Sequence, residues 1–128
     1  MQRALAEHMH SPGHVVDSVT SQIERYMDLL SARQKLVVSN IANIDTPGYK
    51  AKDIDFQFEF QSLAQTPQPH TPQVMEAPGL VIKSDGNNVS LDREARLLAE
   101  NALRFNVAST LLKAQFKTVQ AAIKEGGV

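Results

Sequence analysis

A seven-residue repeat of apolar side chains in the last third of the chain constrains the fold most strongly. Between residues 91 and 123, ten positions follow one another at alternating steps of four and three residues, and nine of them are apolar. This spacing places the side chains on one stripe of an α-helix and is typical of a coiled-coil seam. Ser90 can cap the start of the helix, and Gly126-Gly127 can end it. The predicted helix belongs to residues 90–128, and its core seam consists of Leu91, Ala95, Leu98, Ala102, Phe105, Ser109, Leu112, Phe116, Val119 and Ile123.

A second apolar stripe predicts another long helix over residues 15–45. Arg33 is the one polar interruption of that stripe. Pro47 disfavours helical backbone at Thr46, and Gly48 permits a turn, so the helix should end at residues 43–45. The stripe consists of Val19, Ile23, Tyr26, Leu30, Val37, Ile41 and Ile44, of which Ile23, Leu30, Val37 and Ile41 are the predicted core seam.

These two helices predict a mainly α fold, in which they pack as an antiparallel coiled-coil hairpin joined by a short extended or β and loop segment. Aromatic residues make up only 5% of the chain and tryptophan is absent, so aliphatic side chains must fill the core. Further apolar residues lie off the two seams and would stay exposed in a simple hairpin. Such a face usually marks a protein contact, although the middle segment could also fold back over it. The off-seam residues are Leu29, Leu36, Val38, Leu97, Leu103 and Leu111.

The middle segment, residues 46–89, gives weaker signals. Phe56, Phe58 and Phe60 alternate with polar residues, which favours a half-buried strand. Four prolines between residues 61 and 78 favour a loop there. Leu80-Val81-Ile82 followed by a polar, glycine-containing run predicts a short strand and a turn. Residues 1–14 are predicted to be a flexible leader, and the whole chain is expected to form a single domain.

Composition argues against several classes of function. The net charge is −1 with scattered charges, so nucleic acid is not expected as a partner. The chain has no cysteine, no apolar run long enough for a bilayer and no secretory signal at its start. His8, His10 and His14 are a candidate metal site, but a solvated tail is the favoured interpretation. Asp53 and Asp55 have no nucleophile or base beside them, so we expect no enzyme, no cofactor and no small-molecule substrate.

The run from Ser39 to Ala51, SNIANIDTPGYKA, closely resembles the signature near the N-terminus of flagellar axial proteins, the rod and hook subunits. The continuation Lys52 to Phe56 and the short middle segment resemble the FlgB type of proximal rod protein in particular. So does the segment from Ser90 into Phe105. Ile44 departs from the family pattern, which usually has a small residue there, and the leader has no counterpart that can be aligned.

The resemblance implies a structural subunit of the bacterial flagellar proximal rod. Such subunits self-assemble with other axial proteins into a drive shaft that spans the periplasm and transmits torque. The implied partners are other rod proteins, the FliE adaptor and the MS-ring at the rod base, with the type III export gate during secretion. Export would proceed without a cleavable signal peptide. The alternatives are another proximal rod subunit of the same family and, further away, a coiled-coil adaptor or secretion chaperone.

The resemblance also singles out residues. The motif could place its side chains against a neighbouring subunit, or its turn could simply end the helix; Asn40 and Asn43 could likewise cap the last carbonyls. The candidate interface residues are Asn40, Ala42, Asn43, Asp45, Thr46, Pro47, Gly48, Tyr49 and Lys50. Phe56 and Phe60 resemble the short hydrophobic signal that early flagellar substrates present to the export gate, although a plain strand is the favoured interpretation of that segment.

Overall fold

The computed structural model describes residues 12–66, 68 and 70–126. Two long helices dominate, and a short segment with a third helix and two strands joins them, so the predicted mainly α class is confirmed. The elements in chain order are α1 (Pro12–Ala42), β1 (Lys52–Ile54), α2 (Phe56–Gln65), β2 (Val74–Glu76) and α3 (Leu91–Gly126).

Helices α1 and α3 run antiparallel. Near the turn end of the hairpin, Asn40 bonds to Glu94. Farther along, Asn101 Nδ2 donates to Gln34 Oε1 at 3.1 Å. Still farther along, Arg104 bonds to the hydroxyl of Tyr26. Partner numbers fall on α1 as they rise on α3, which confirms the predicted hairpin.

The face of α3 that packs on α1 differs from the predicted seam. The buried side chains of α3 are Glu94, Leu97, Asn101 and Ala108, whereas Leu91, Leu98 and Phe105 of the seam are exposed. Glu94 and Asn101 bond to partners on α1. With Leu97 and Ala108 they form one stripe, at steps of three, four and seven residues, and Leu98 of the seam lies about 100° around the helix from Leu97. The off-seam residue Leu97 therefore belongs to the core, together with Leu29 of α1.

Helix α1 follows its prediction more closely. Leu30 and Val37 of the predicted seam are buried, and Ile23 and Ile41 are half-buried. The helix begins at Pro12, inside the predicted leader, because proline fits the first helical position, where no intrahelical N–H bond is required. Residues 1–11 of the leader lie outside the described residues.

The predicted strand at Phe56, Phe58 and Phe60 is wrong, because these residues form the start of α2. Asp55 caps this helix by accepting a 3.1 Å hydrogen bond from the N–H of Phe58. Helical spacing brings Phe56 and Phe60 to one face, where both rings contact Tyr26. The helix continues to Gln65, so the predicted loop begins later than expected.

The strands are β1 and β2, which pair antiparallel with Asp53 opposite Met75. Beside them lies a small core of Ala51, Ala77 and Val89, covered by Ile44, Tyr49 and Leu80. The predicted strand at Leu80-Val81-Ile82 is also wrong: the segment pairs with no strand in the described part of the chain, and Val81 is 84% and Ile82 61% exposed.

Candidate functional site

The motif that ends α1 forms a tight, braced turn. The N–H of Tyr49 donates to the carbonyl of Thr46 at 3.2 Å, and Gly48 has φ +75°, the backbone of the predicted type II turn. Asn43 Nδ2 donates to the carbonyl of Ser39 at 2.8 Å. Asn43 thus caps the end of the helix within its own subunit.

Asn40 is the centre of this turn. Its side chain is 1% exposed. Nδ2 donates to the carbonyl of Lys52 at 2.8 Å and to Oε1 of Glu94 at 2.9 Å. Oδ1 accepts from the N–H of Lys52 at 2.9 Å and from the hydroxyl of Tyr49 at 3.2 Å. Every polar atom of this amide is used inside the chain, so Asn40 joins α1, β1 and α3 rather than facing outward.

The segment before α3 clamps the turn from the other side. Asn87 Nδ2 donates to the carbonyls of Asn43 and Thr46, both at 2.9 Å. Asn88 Oδ1 accepts from the N–H of Ala51 at 2.6 Å. Because both asparagines are buried and bonded to backbone, the clamp fixes the path of the chain after α1.

Gly86 allows the clamp to approach the turn closely at Gly48. Gly86 has φ +85°, and a Cβ placed on it would lie 3.3 Å from Cα of Gly48. The N–H of Gly48 donates to the carbonyl of Asp85 at 2.9 Å, and Lys50 Nζ bonds to the carbonyl of Gly86. The two backbones can meet this closely because Gly86 carries no side chain, whereas a Cβ on Gly48 would meet nothing within 4 Å.

A buried ionic cluster lies behind the turn. Arg33 binds Asp53 through two hydrogen bonds, of 3.1 Å to Oδ1 and 3.0 Å to Oδ2. Arg93 bonds to Asp53 and also donates to Oε1 of Glu94 at 2.8 Å. Arg33, the polar interruption in the first stripe, is therefore the partner of Asp53. The cluster ties both helices to β1.

Glu94 is the member of this cluster whose burial is not fully compensated by hydrogen bonds. Its side chain is 0% exposed, and among the described residues no hydrogen bond reaches its Oε2. Burial raises the pKa of the Glu94 carboxyl above its ordinary value, against the Asn40 hydrogen bond and the Arg93 charge, which lower it. The charged form is therefore held at a cost.

An aromatic cluster attaches α2 to the hairpin. The guanidinium groups of Arg33 and Arg104 lie 5.1 Å and 5.0 Å from the ring centre of Phe56. Tyr26 meets Phe60 edge to face with 5.5 Å between the ring centres. These contacts explain why Phe56 is half-buried, while Phe60 keeps about half of its surface exposed.

The remaining motif residues divide between buried and exposed positions. Tyr49 and Lys50 are half-buried and bond within the chain, as described above. The motif residues that remain exposed are Ala42, Asp45, Thr46, Pro47 and Gly48. The motif therefore mainly builds the joint, by which we mean the turn after α1 together with Asn40, the clamp and the ionic cluster. Only the exposed motif residues are free to face a neighbour.

The second exposed region is the predicted seam of α3. Ser109, Leu112 and Val119 are half-buried, and the larger part of the stripe is exposed along one side of the contact between α1 and α3. With the opposite flank of the helix, α3 thus presents two rows of apolar side chains. The exposed large residues of α3 are Leu91, Leu98, Leu103, Phe105, Val107, Leu111, Phe116 and Ile123.

The candidate chemical sites are placed as follows. Asp53 is held by two arginines and Asp55 caps α2, so the two carboxylates do not share a site. Among the described residues, no cluster of three or more histidines and carboxylates could hold a metal ion. His8 and His10, and the side chain of His14, lie outside the described residues. Of the helices that the structure describes, none has the length and hydropathy of a membrane span.

Sequence patterns missed several residues of the joint. Asp53 and Arg93 are 40 residues apart and meet only through the fold, and Asn87 and Asn88 were assigned only to a turn. The one available signal was Arg33, since a charged residue on an apolar stripe commonly has a buried partner.

Comparison with known proteins identifies relatives of this joint and hairpin. A family described as "Flagella basal body rod protein" matches residues 27–50, the end of α1 and the motif turn. A relative from Yersinia ruckeri, named flagellar basal body rod protein FlgB, is 33% identical over an alignment of 122 residues, and the match covers 78% of this chain and 89% of the relative. The protein of that name from Salmonella typhimurium is 32% identical, with 78% and 88% covered. That of Borrelia hermsii is 29% identical, with 78% and 91% covered.

Proposed function

The chain belongs to the FlgB family of flagellar basal body rod proteins and is a structural subunit of the flagellar proximal rod, and we propose that it self-assembles with other axial proteins into a drive shaft that carries motor torque across the periplasm. The hairpin supplies the contact surface of the subunit. The joint around Asn40 holds the middle segment at a fixed angle to that hairpin.

The exposed apolar stripe of α3 carries this proposal. A protein that works alone rarely leaves a continuous row of leucine and phenylalanine side chains in water, because burying them is worth roughly 25 cal/mol per Å². In α3 the row recurs every seven residues, from Leu91 to Ile123. A row of this kind fits a neighbouring helix with a similar stripe.

The joint fits a subunit that transmits force. Arg33 of α1 and Arg93 of α3 both bind Asp53 of β1 through charge-assisted hydrogen bonds, which are stronger than neutral ones. The clamp of Asn87 fixes the turn by bonding two backbone carbonyls. The middle segment would therefore move with the hairpin as one body when the rod turns.

The location of basal-body components gives a direct test. Basal bodies purified from cells that carry a tagged copy should contain the chain, and deletion of the gene should abolish rods and swimming, with both restored by complementation. Finding the chain only in the cytoplasm, bound to another secreted protein, would instead support a secretion chaperone. Contacts with the FliE adaptor and the MS-ring are part of the proposal, and crosslinking in the same preparations tests them.

We also propose that Phe56 and Phe60 are recognised by the type III export gate while the chain is unfolded, before it passes out without a cleavable signal. A double change of Phe56→Ala and Phe60→Ala should then reduce the amount of subunit secreted. Tyr26→Ala is the matched control, because it disrupts the same aromatic cluster in the folded protein but leaves the two phenylalanines in place. Equal loss of secretion in both variants would contradict this role.

A further inference from the structure

The two-stranded sheet has one closed edge and one open edge. On the outer side of β1, the amide of Asn40 bonds to both the N–H and the carbonyl of Lys52, as a neighbouring strand would. The N–H of Ile54 is also occupied, by Oδ1 of Asp53 at 2.8 Å. No further strand can pair with β1 on this side.

The outer edge of β2 is open. The N–H of Ala77 donates to the carbonyl of Ala51, and alternation from that pair directs the backbone of Met75 toward β1 and that of Val74 and Glu76 away from it. Within the part of the chain that the structure describes, no other backbone group bonds to that outer side. All three side chains of β2 are exposed. An open edge with apolar side chains is a template for another strand.

The segment from Val81 to Lys83 is an exposed, unpaired stretch of chain that could pair with such an edge. Val81 and Ile82 are strongly exposed β-branched residues, and no described residue makes a hydrogen bond to the backbone of either. Yet the segment is held in place: Leu80 packs on the small core, and the N–H of Lys83 donates to the carbonyl of Asn87 at 2.8 Å. A held, unpaired segment loses little conformational entropy when it binds.

We propose that the β2 edge of one subunit pairs with the segment Val81–Lys83 of a second copy of this chain. This inference rests on the proposed function and names one contact that would join the subunits. Aligned in the same direction, the two triplets match in kind: valine lies beside valine, methionine beside isoleucine, and a glutamate beside a lysine. The matched pairs are Val74 with Val81, Met75 with Ile82 and Glu76 with Lys83.

Charge favours a second copy as the occupant. Glu76 and Lys83 are both exposed, and neither forms an ion pair with another described residue. Placed side by side across the new pair of strands, they would form one, which also fixes the register. The contact joins two different surfaces, so each subunit offers one free edge and one free segment to the next. Such head-to-tail contacts build rings or helical arrays.

Cysteine crosslinking tests the contact, and it is clean because the chain has no cysteine of its own. Cells would produce two forms of the full chain together, one with Glu76→Cys and one with Lys83→Cys. We expect a disulfide-linked dimer in basal bodies under mild oxidation. Cells that produce only one form are the control and should give little dimer. Absence of the mixed dimer from basal bodies that contain both forms, in swimming cells, would overturn the pairing.

Charge exchange gives a second, independent readout. Glu76→Lys or Lys83→Glu alone should lower swimming and the yield of rods, and the double variant should recover most of both. Single variants that assemble like the unchanged chain, or a double variant no better than either single one, would overturn the proposal. Absence of the unchanged protein from basal bodies would instead contradict the proposed function, so the two failures are distinguishable.

Discussion

Asn40 and Glu94 meet across 54 residues of sequence through a 2.9 Å hydrogen bond from Nδ2 to Oε1. This contact joins the end of α1 to the start of α3, at the two points where the middle segment connects to the hairpin. Because Asn40 also closes the edge of β1, one side chain sets the position of three elements. The family motif therefore encodes the internal geometry of a subunit as well as its surface.

The first prediction concerns Asn40 itself. Asn40→Asp removes the donor to Glu94 and the carbonyl of Lys52, and it places a second carboxylate beside Glu94. Since each unsatisfied buried group costs about 1–3 kcal/mol, the free energy of unfolding should fall by at least about 2 kcal/mol. Urea denaturation followed by circular dichroism measures the change.

The control for this variant is Asn106→Asp, the same change on the exposed surface of α3. It should alter the free energy of unfolding by less than about 0.5 kcal/mol. Equal stability of the two variants would show that Asn40 does not hold the joint.

The second prediction concerns pH. Burial raises the pKa of Glu94 in the folded chain above that of the unfolded chain, so the folded state binds the proton more tightly. The contribution of Glu94 to stability is complete below the unfolded pKa and is lost as pH rises through the folded pKa. Glu94→Gln, which carries no titrating group, should lack this falling portion.

The measurement is the difference in free energy of unfolding between the unchanged chain and Glu94→Gln from acid to neutral pH. The free energy of unfolding of Glu94→Gln, relative to that of the unchanged chain, should increase as the pH rises above the ordinary pKa of glutamate. Asp92→Asn, at an exposed residue of the same helical turn, is the control and should give a much flatter difference. Parallel curves for Glu94→Gln and the unchanged chain would refute the role of burial.

The sequence was sufficient to predict the two long helices, but not the rotation of α3 about its axis. A stripe that recurs every seven residues predicts a helix from local spacing alone. Which stripe faces α1 depends on where Glu94 and Asn101 find partners, and those partners are 54 and 67 residues away. Periodicity ranks leucine and phenylalanine as core residues, so it placed the seam of α3 inward when the hairpin leaves much of it exposed.

The middle segment shows a second limit. Phe56, Phe58 and Phe60 satisfy strand alternation, but Phe56 and Phe60 are also four apart, as on a helix face. The cap from Asp55 and the contact of both rings with Tyr26 decide for the helix. The clamp was not predictable for a related reason: the bond from the N–H of Ala51 to Asn88 spans 37 residues and has no local pattern.

The third prediction separates backbone strain from close contact at the clamp. Gly79 and Gly86 both have positive φ, but a Cβ on Gly79 would meet nothing within 4 Å, whereas one on Gly86 would press on Gly48. Gly79→Ala should cost about 1–2 kcal/mol of stability from left-handed backbone alone. Gly86→Ala should cost more, because the clamp must also move away. Thermal unfolding of both variants measures the difference, and equal costs would mean that the close approach to Gly48 is unimportant.

The last prediction concerns the exposed seam of α3. Phe105→Asp should block rod assembly and leave the isolated subunit folded, since Phe105 is 41% exposed and is not part of the buried core of the hairpin. In an assembled rod the same change would bury an unpaired charge at every copy, at a cost of several kcal/mol each. Leu97→Asp is the matched control: Leu97 is 8% exposed, so its replacement should unfold the subunit itself. Circular dichroism of the purified chains and counts of basal bodies distinguish the two effects. Normal rods from Phe105→Asp would mean that this seam is not a subunit contact. A Phe105→Asp chain that unfolds like Leu97→Asp would mean that the seam stabilises the monomer instead.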